Sequence, residues 1–398
     1  MSTTQLRSLL TQVLPERPFR IELWDGTEVA STTADGPVFS VRSPVALGHM
    51  LRSPGQLGLG RAYVSGALAV DDIDRVLELL DDYTPPPIDA KSKARLAAAA
   101  VRAGALTEVP RVPAVELRPQ GRRHSIIRDR RAVTYHYDVG NDFFALFLDE
   151  SMTYSCAVWS RGAETLEEAQ DTKRELVCTK LALKEGERVL DVGCGWGAFP
   201  VHAAKRHGVH VTGITLSEPQ AERARRRAEE EGVADRVDIR VMDYRELAGE
   251  RFDAIASIGM VEHVGVSNID AYAGTLARLL EPGGRLLNHG ISRLRYGEPE
   301  AGPFSERYVF PDAAPLHLSR VQAALEKTGF ETRHVEGFRL DYARTLREWL
   351  RRLESNHDEA ERIAGPERMR VWEVYLRGAR RGFETGFTSI YQVLADRV

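Results

Sequence analysis

From Glu187 onward, short apolar runs alternate with stretches of helical period: RVLDVG, a helix, VHVTGIT, a helix, RVDIRVMD, FDAIASI, a helix, GRLLNHGI. Strands that read as near-continuous apolar runs, each separated from the next by a helix, are buried on both faces. The pattern predicts a doubly wound, mostly parallel α/β sheet. Upstream, residues 18–83 alternate in FRIELWDG and PVFSVRSP and then take a helical pattern from Ser53 to near Tyr83, ahead of the PPPI at 85–88. This predicts a small α+β domain. AKSKARLAAAAVRAGA (90–105) has strong helix formers with several cations, and the Pro-containing EVPRVPAVELRP after it predicts a linker. The expected division is a small N-terminal domain over 1–115, a basic linker over 116–131 and the main domain over 132–398. There is no internal repeat or long low-complexity tract.

Composition narrows the function. A length of 398 residues with 43% hydrophobic positions is ample for two domains, and a net charge of −4 argues against a binder of nucleic acid held by general positive charge. RPQGRRHSIIRDRR (118–131) concentrates six arginines with one acid; it reads either as a solvated linker or as a patch for anionic lipid headgroups. Cys156, Cys178 and Cys194 sit at neither CxxC nor Cys/His metal spacing, which predicts a reducing compartment and no zinc site. The N-terminus lacks the apolar core of a signal peptide, and no stretch approaches the ~20 apolar residues of a membrane span. Any membrane contact is expected to be peripheral.

VLDV runs into GCGWG, placing Gly193, Gly195 and Gly197 at G-x-G-x-G spacing before a helix opening near Ala198. Glycines there let backbone approach a ligand at the switch point of an open sheet. The triplet alone would also suit a dinucleotide. Two features separate the cases. The spacing is GxGxG rather than GxGxxG, with Asp191 two residues ahead, an arrangement usual for S-adenosylmethionine. The third strand ends in VMDYREL, which puts Asp243, with Tyr244 beside it, where methyltransferases contact adenine. The second strand ends in ITLSEPQ, contributing Thr215 but no ribose-binding acid, and leaves Gln220 or Glu218 for that role. Taken alone, Gln220 reads first as an exposed residue at a helix start.

The motifs HYDVGNDFFALFLDESMTYSCAVW, VLDVGCGWG, GITLSEPQ, SIGMVEHVG, GRLLNHGIS, YVFP and LDYARTLREW stand in the order and spacing of the cyclopropane-fatty-acid synthase family. The chain resembles that family, which includes the mycolic acid cyclopropane synthases, over roughly residues 130–398 and more faintly over the N-terminal domain. The resemblance implies a Rossmann-like class I methyltransferase with a mostly parallel seven-stranded sheet. It implies that Tyr154 and Ser155 help hold S-adenosylmethionine, that Gly193 and its neighbours pass under the methionine and ribose, and that Gln220 is the ribose contact. It also implies a bicarbonate ion held by Cys156, Glu262, His289, Tyr342 and the backbone at Ile291. Singly, Cys156 reads as a small buried hydrophobe, His289 as a core histidine and Tyr342 as a core aromatic with its hydroxyl paired. Glu262 and His263 follow FDAIASI at a strand's carboxyl end, where catalytic groups gather.

The reaction so implied moves a methyl group onto the cis double bond of an unsaturated acyl chain in a membrane phospholipid. An alkene is a feeble nucleophile, so the sulfonium methyl must be held over it in a dry pocket. The resulting carbocation needs aromatic faces, for which Tyr137, Phe143, Phe144, Tyr154 and Tyr308 are candidates. Bicarbonate would act as general base, Glu262 accepting its proton and His289 and Tyr342 donating to its oxygens. Proton loss then closes a cyclopropane or, after a hydride shift, leaves a methylene branch. Asn288, Gly290 and Ala379 depart from the ring-forming pattern and are expected to border the proton-accepting site. The family further implies a homodimer, an N-terminal domain serving lipid engagement or dimerisation, and a cytoplasmic enzyme on the inner membrane face. Contact there would run through 90–105, 118–131 or 368–383, and a reductase would be a partner if the product is finished elsewhere. Two other readings stand beside this one: a methyltransferase of a soluble amine or hydroxyl compound, and a catalytically silent binding subunit.

Overall fold

The computed structural model describes residues 3–118, 120–137, 139–297, 302–313 and 315–398. Pro119 and Asp138, which fall in quoted motifs, lie outside them. The chain divides into two units. One takes Met1–Leu117 with Gly302–Val309 and Ala364–Gly378; the other takes Arg118–Ala301, Phe310–Ile363 and Ala379–Val398. An uninterrupted catalytic stretch over 132–398 therefore misses two segments that pack with the N-terminal residues. The chemistry that draws in 302–309 is specific: Arg61 forms a two-pronged ion pair with the buried Glu116 at 2.6 Å, Tyr308 donates its hydroxyl to the same carboxylate at 2.9 Å, and the Leu117 N–H donates to the Arg307 carbonyl.

In the first unit, β1 (Arg20–Glu22), β2 (Glu28–Val29), β3 (Val38–Val41) and β4 (Leu68–Val70) form a sheet in the order β2-β1-β3-β4. The helical pattern read from Ser53 is really a helix Gln56–Val64, a turn at Gly66 with φ 77° and strand β4, then a helix Ile73–Asp82. Asp72 starts the last of these by accepting from the Asp74 and Arg75 N–H groups, satisfying donors no helical carbonyl can reach.

The second unit holds β5 (Arg188–Val192), β6 (His210–Thr215), β7 (Val237–Val241), β8 (Phe252–Ile258), β9 (Leu280–Arg293), β10 (Leu316–His317), β11 (Phe330–Gly337) and β12 (Thr388–Arg397). Among the described residues, seven strands run in the order β11-β12-β9-β8-β5-β6-β7, and the two-residue β10 pairs with β9 off this path. All pairings are parallel except those of β12, which is antiparallel to both β9 and β11. Leu190, Val192, Ile255 and Leu286 pack on one face and Val189, Val211, Ala254 and Leu287 on the other, which is why these strands read as apolar runs. Strand order reverses at β5, and the carboxyl end of that strand is where such sheets bind ligands. Among the described residues no helix is long and apolar enough to cross a membrane.

Within and beyond the linker expected over 116–131, Ile126–Tyr137 is a helix. Its arginines are not all solvated. Arg128 grips Asp312 at 2.5 and 2.6 Å, Arg123 adds a third bond at 3.0 Å, and these bonds hold the Asp312 carboxyl below its usual range although burial pushes it up.

Candidate active site

A cavity of about 190 Å³ opens at the carboxyl end of β5. Tyr154, Ser155, Asp191, Gly193, Gly195, Thr215, Gln220, Asp243 and Tyr244, all expected cofactor contacts, line it. Gly197 does not; it caps the helix Ala198–His207 at φ 81°, and a Cβ there would lie 2.7 Å from the Ala224 Cβ, so its smallness serves helix packing. The Gly193 and Cys194 N–H groups donate to the Ile214 carbonyl at 3.0 and 2.9 Å, tying the glycine loop to the end of β6. There Gln220 is buried, and its amide oxygen accepts from the Thr215 hydroxyl at 2.8 Å. That pairing aligns the side chain and corrects the exposed-residue alternative.

Asp191 is 2% exposed, and burial pushes its carboxyl up to about 7 against the pull of Lys173. Lys173 is equally buried; desolvation lowers its ammonium to about 8, and it donates to the Ser155 hydroxyl at 3.0 Å. A buried cation and a buried carboxylate in one cavity suit a zwitterionic ligand end. At the other end, Arg245 binds both oxygens of Asp243 at 2.7 and 2.6 Å, reaches Asp129 at 2.8 Å and donates to the His124 carbonyl at 3.0 Å. The helix Ile126–Tyr137 thereby becomes a wall of the cavity, with Asp129, Ala132, Val133, His136 and Tyr137 facing in.

The aromatic candidates gather in part. Tyr154 stacks on Trp349 at 5.2 Å and on His136 at 5.7 Å, and packs against Phe144 at 5.3 Å and Tyr137 at 6.3 Å. Phe143 is fully buried behind Phe144. Tyr308 belongs to the first unit, on Glu116, and is withdrawn from the cation-stabilising set.

Of the expected anion-binding residues, Glu262, His289 and Ile291 stand at the ends of β8 and β9, Cys156 and Tyr342 lie beside Phe338, and none of the five lines the cavity described above. The short 3-10 turn Val261–His263 after β8 carries Glu262, 6% exposed, whose Oε1 accepts from the Ile291 N–H at 2.7 Å. The Ile291 N–H, expected to hold the anion directly, is thus committed to Glu262. Burial pushes the Glu262 carboxyl up to about 7, and Oε2 is buried without a hydrogen bond. His289 is 1% exposed; burial, then the charges of Lys173 and Lys180, push it down to about 3, and its Nε2 also has no partner. Phe338 links the remaining members: its ring lies 6.1 Å from His289, its carbonyl accepts from the Tyr342 N–H, and the Cys156 thiol approaches that carbonyl at 3.8 Å. Burial raises the Cys156 thiol well above its normal value, so it stays protonated, and it donates to the Ala157 carbonyl at 3.2 Å.

Asn288 and Gly290 lie beside the turn that carries Glu262 rather than beside His289. Alternation along β9 turns them to the face opposite His289. The Asn288 Oδ1 accepts from Tyr272 at 2.9 Å, and a Cβ on Gly290 would stand 2.2 Å from the Val261 Cγ1. Gly290 gives room to the turn that carries Glu262. Restoring threonine, Gly290→Thr, should therefore cost roughly 1–3 kcal/mol by overpacking and lower turnover about tenfold by displacing that turn. Urea denaturation and steady-state rates measure the two effects, and unchanged rates would contradict this assignment.

Lys173, Trp349 and Arg245 were not found from the sequence. A signal existed for Lys173: Leu166, Ala169, Gln170, Lys173, Arg174 and Val177 form the inward stripe of one helix, and a lysine on an inward stripe is costly unless it has work to do.

The family model described as mycolic acid cyclopropane synthetase matches residues 124–393. A Mycobacterium tuberculosis protein named "Probable fatty acid methyltransferase" is 38% identical over 394 residues, 96% of this chain and 92% of its own. Cyclopropane-fatty-acyl-phospholipid synthase of Escherichia coli is 32% identical over 361 residues, 90% of this chain and 87% of its own. A solved mycolic acid cyclopropane synthase, complexed with SAH and CTAB, superposes with a TM-score of 0.64 at 32% identity, covering 67% of this chain and 98% of that one. The chain thus belongs to the mycolic acid cyclopropane synthetase family of S-adenosylmethionine-dependent methyltransferases.

Proposed function

We propose that the protein methylates the cis double bond of an unsaturated acyl chain in a membrane phospholipid, with the product either a cyclopropane or a methylene branch. One observation carries this reading: Glu262 Oε2 and His289 Nε2 are both buried and both lack a hydrogen bond. Left unmet, each such atom costs about 1–3 kcal/mol, and a small anion bearing one hydroxyl meets both, taking a hydrogen bond from His289 and giving one to Glu262. Bicarbonate fits that description, and when bound it would supply a general base.

S-adenosylmethionine supplies the electrophilic methyl. Passing that methyl to an alkene carbon, with the thioether as leaving group, would put a carbocation on the chain that the protein's own residues must stabilise. Tyr137, which meets Tyr154 edge-on and lines the same cavity, offers a π face to that charge. Glu262, poised to ionise near neutral pH, draws the departing proton toward Oε2, while the neutral His289 holds negative charge beside it without surrendering a proton of its own. The names of relatives support the acyl substrate. The exposed Arg118, Arg122, Arg130 and Arg131 suit an anionic membrane surface. The first unit would engage lipid or pair two copies, and a reductase would act next on a methylene product.

The test uses methyl-labelled S-adenosylmethionine and vesicles of dioleoyl phosphatidylglycerol. Label is expected in the extracted lipid, at a rate that falls at least ~tenfold in buffer stripped of carbon dioxide and returns with added bicarbonate. Label reaching only soluble amines or alcohols would reject the lipid assignment.

A further inference from the structure

We propose that Gln392 and Lys180 lock His289 in its Nε2–H tautomer and so make it an obligate donor to the anion pocket. The assignment rests on the anion-holding role given above to Glu262 and His289.

Gln392 stands directly opposite His289 where β12 pairs with β9, and directly opposite Glu336 where β12 pairs with β11. Cross-strand partners present their side chains to the same face, so the three form one row across three strands. Gln392 is fully buried, His289 nearly so, and the Lys180 side chain is 10% exposed. Lys180 comes down on this row from the end of the helix Leu166–Lys180. Its ammonium donates to the Gln392 Oε1 at 2.6 Å, forms an ion pair with Glu336 at 2.6 Å and lies 5.3 Å from the Phe338 ring centre.

The chemistry of each group then dictates the next. An ammonium has donors and no acceptor, so the glutamine must offer it the amide oxygen. Its amide nitrogen is left facing the His289 Nδ1, at 3.4 Å. An amide NH2 can only donate, so Nδ1 must accept and carries no proton. A neutral imidazole has one N–H, and here it falls on Nε2, the buried ring atom without a partner. Flipping the amide would set its NH2 against an ammonium, and protonating Nδ1 would set two donors face to face. Lys180 thus acts on His289 through Gln392, and both are positioning residues.

The full-length protein, labelled with nitrogen-15 in its histidines, reports the tautomer directly by NMR, with the His289 signals identified by their loss in His289→Asn. Wild type is expected to show an unprotonated Nδ1 and a protonated Nε2. Gln392→Glu, whose carboxylate can only accept, is expected to reverse them. The same variant should weaken binding of added bicarbonate, measured as a Kd, by about tenfold or more, because Nε2 then presents a lone pair to an anion. S-adenosylhomocysteine binding should hold within about twofold. Should Gln392→Glu fail to fold, Lys180→Met, which frees the amide to rotate, should give a mixture of both tautomers. A protonated Nδ1 in wild type, or a tautomer unmoved by either variant, overturns the proposal. Because the tautomer is read without turnover, a protein showing Nε2–H but inert toward unsaturated lipid would keep this assignment and lose the proposed substrate.

Discussion

Replacing Glu262 by glutamine is expected to reduce turnover by about a thousandfold, within the range for loss of a positioned proton acceptor, and at the same time to stabilise the fold above neutral pH. The two effects share a cause. Burial raises the Glu262 carboxyl from 4.5 to about 7, so the folded protein favours the protonated form. Stability from that preference is fully present below about pH 4.5 and is lost as pH rises through about 7. Above it, wild type carries the cost of an unpaired buried carboxylate, roughly 3 kcal/mol from a shift of this size. Glutamine avoids that cost and keeps a carbonyl for the Ile291 N–H. Thermal melts should show wild type and Glu262→Gln converging near pH 4.5, with the variant melting several degrees higher near pH 8. Wild-type turnover should fall as pH drops below about 7, because only the ionised group accepts a proton. A variant that is active, or less stable near pH 8, would contradict this account.

Gly193→Ala is expected to raise the Kd for S-adenosylhomocysteine by about two orders of magnitude while leaving circular dichroism unchanged. Gly193 has φ 84°, where a side chain costs roughly 1–2 kcal/mol, and its Cβ would fall 2.8 Å from Cγ and 2.9 Å from Sδ of Met260, which lines the same cavity. Gly195 gives the control. It is also left-handed, at φ 53°, but a Cβ there meets nothing within 4 Å, so Gly195→Ala should weaken binding only about tenfold. Isothermal titration separates them; equal losses would mean that backbone strain alone, with no part for Met260, sets the effect.

The five strands from β5 to β9 are legible in the sequence because burial on both faces leaves an apolar run that little else produces. The last two are not. FETRHVEG is an edge strand, mostly half-buried or exposed, and β12 enters antiparallel from the far end of the chain. The glycine loop, Asp191 and Asp243 can be read because they lie at strand ends or within a few residues of them. Cys156, Tyr342 and His289 come together only around Phe338, and their grouping was available from family resemblance alone. Gln392 illustrates what sequence withholds. Its role depends on a register that places it between His289 and Glu336, and on a lysine 212 residues away. The segments 302–309 and 364–378 join the first unit through tertiary contacts such as Tyr308 to Glu116, which no local pattern records.

The most direct measurement supplies S-adenosylmethionine bearing a fully deuterated methyl group, with dioleoyl phosphatidylglycerol vesicles, and counts deuterium in the released acyl chains by mass spectrometry. Transfer to the alkene followed by proton loss beside Glu262 predicts that the added carbon keeps all but one of its deuterium atoms, whether the product is a ring or a methylene. A methyl carrying its full complement on a headgroup or a soluble acceptor, with the acyl chains unchanged, would contradict the account.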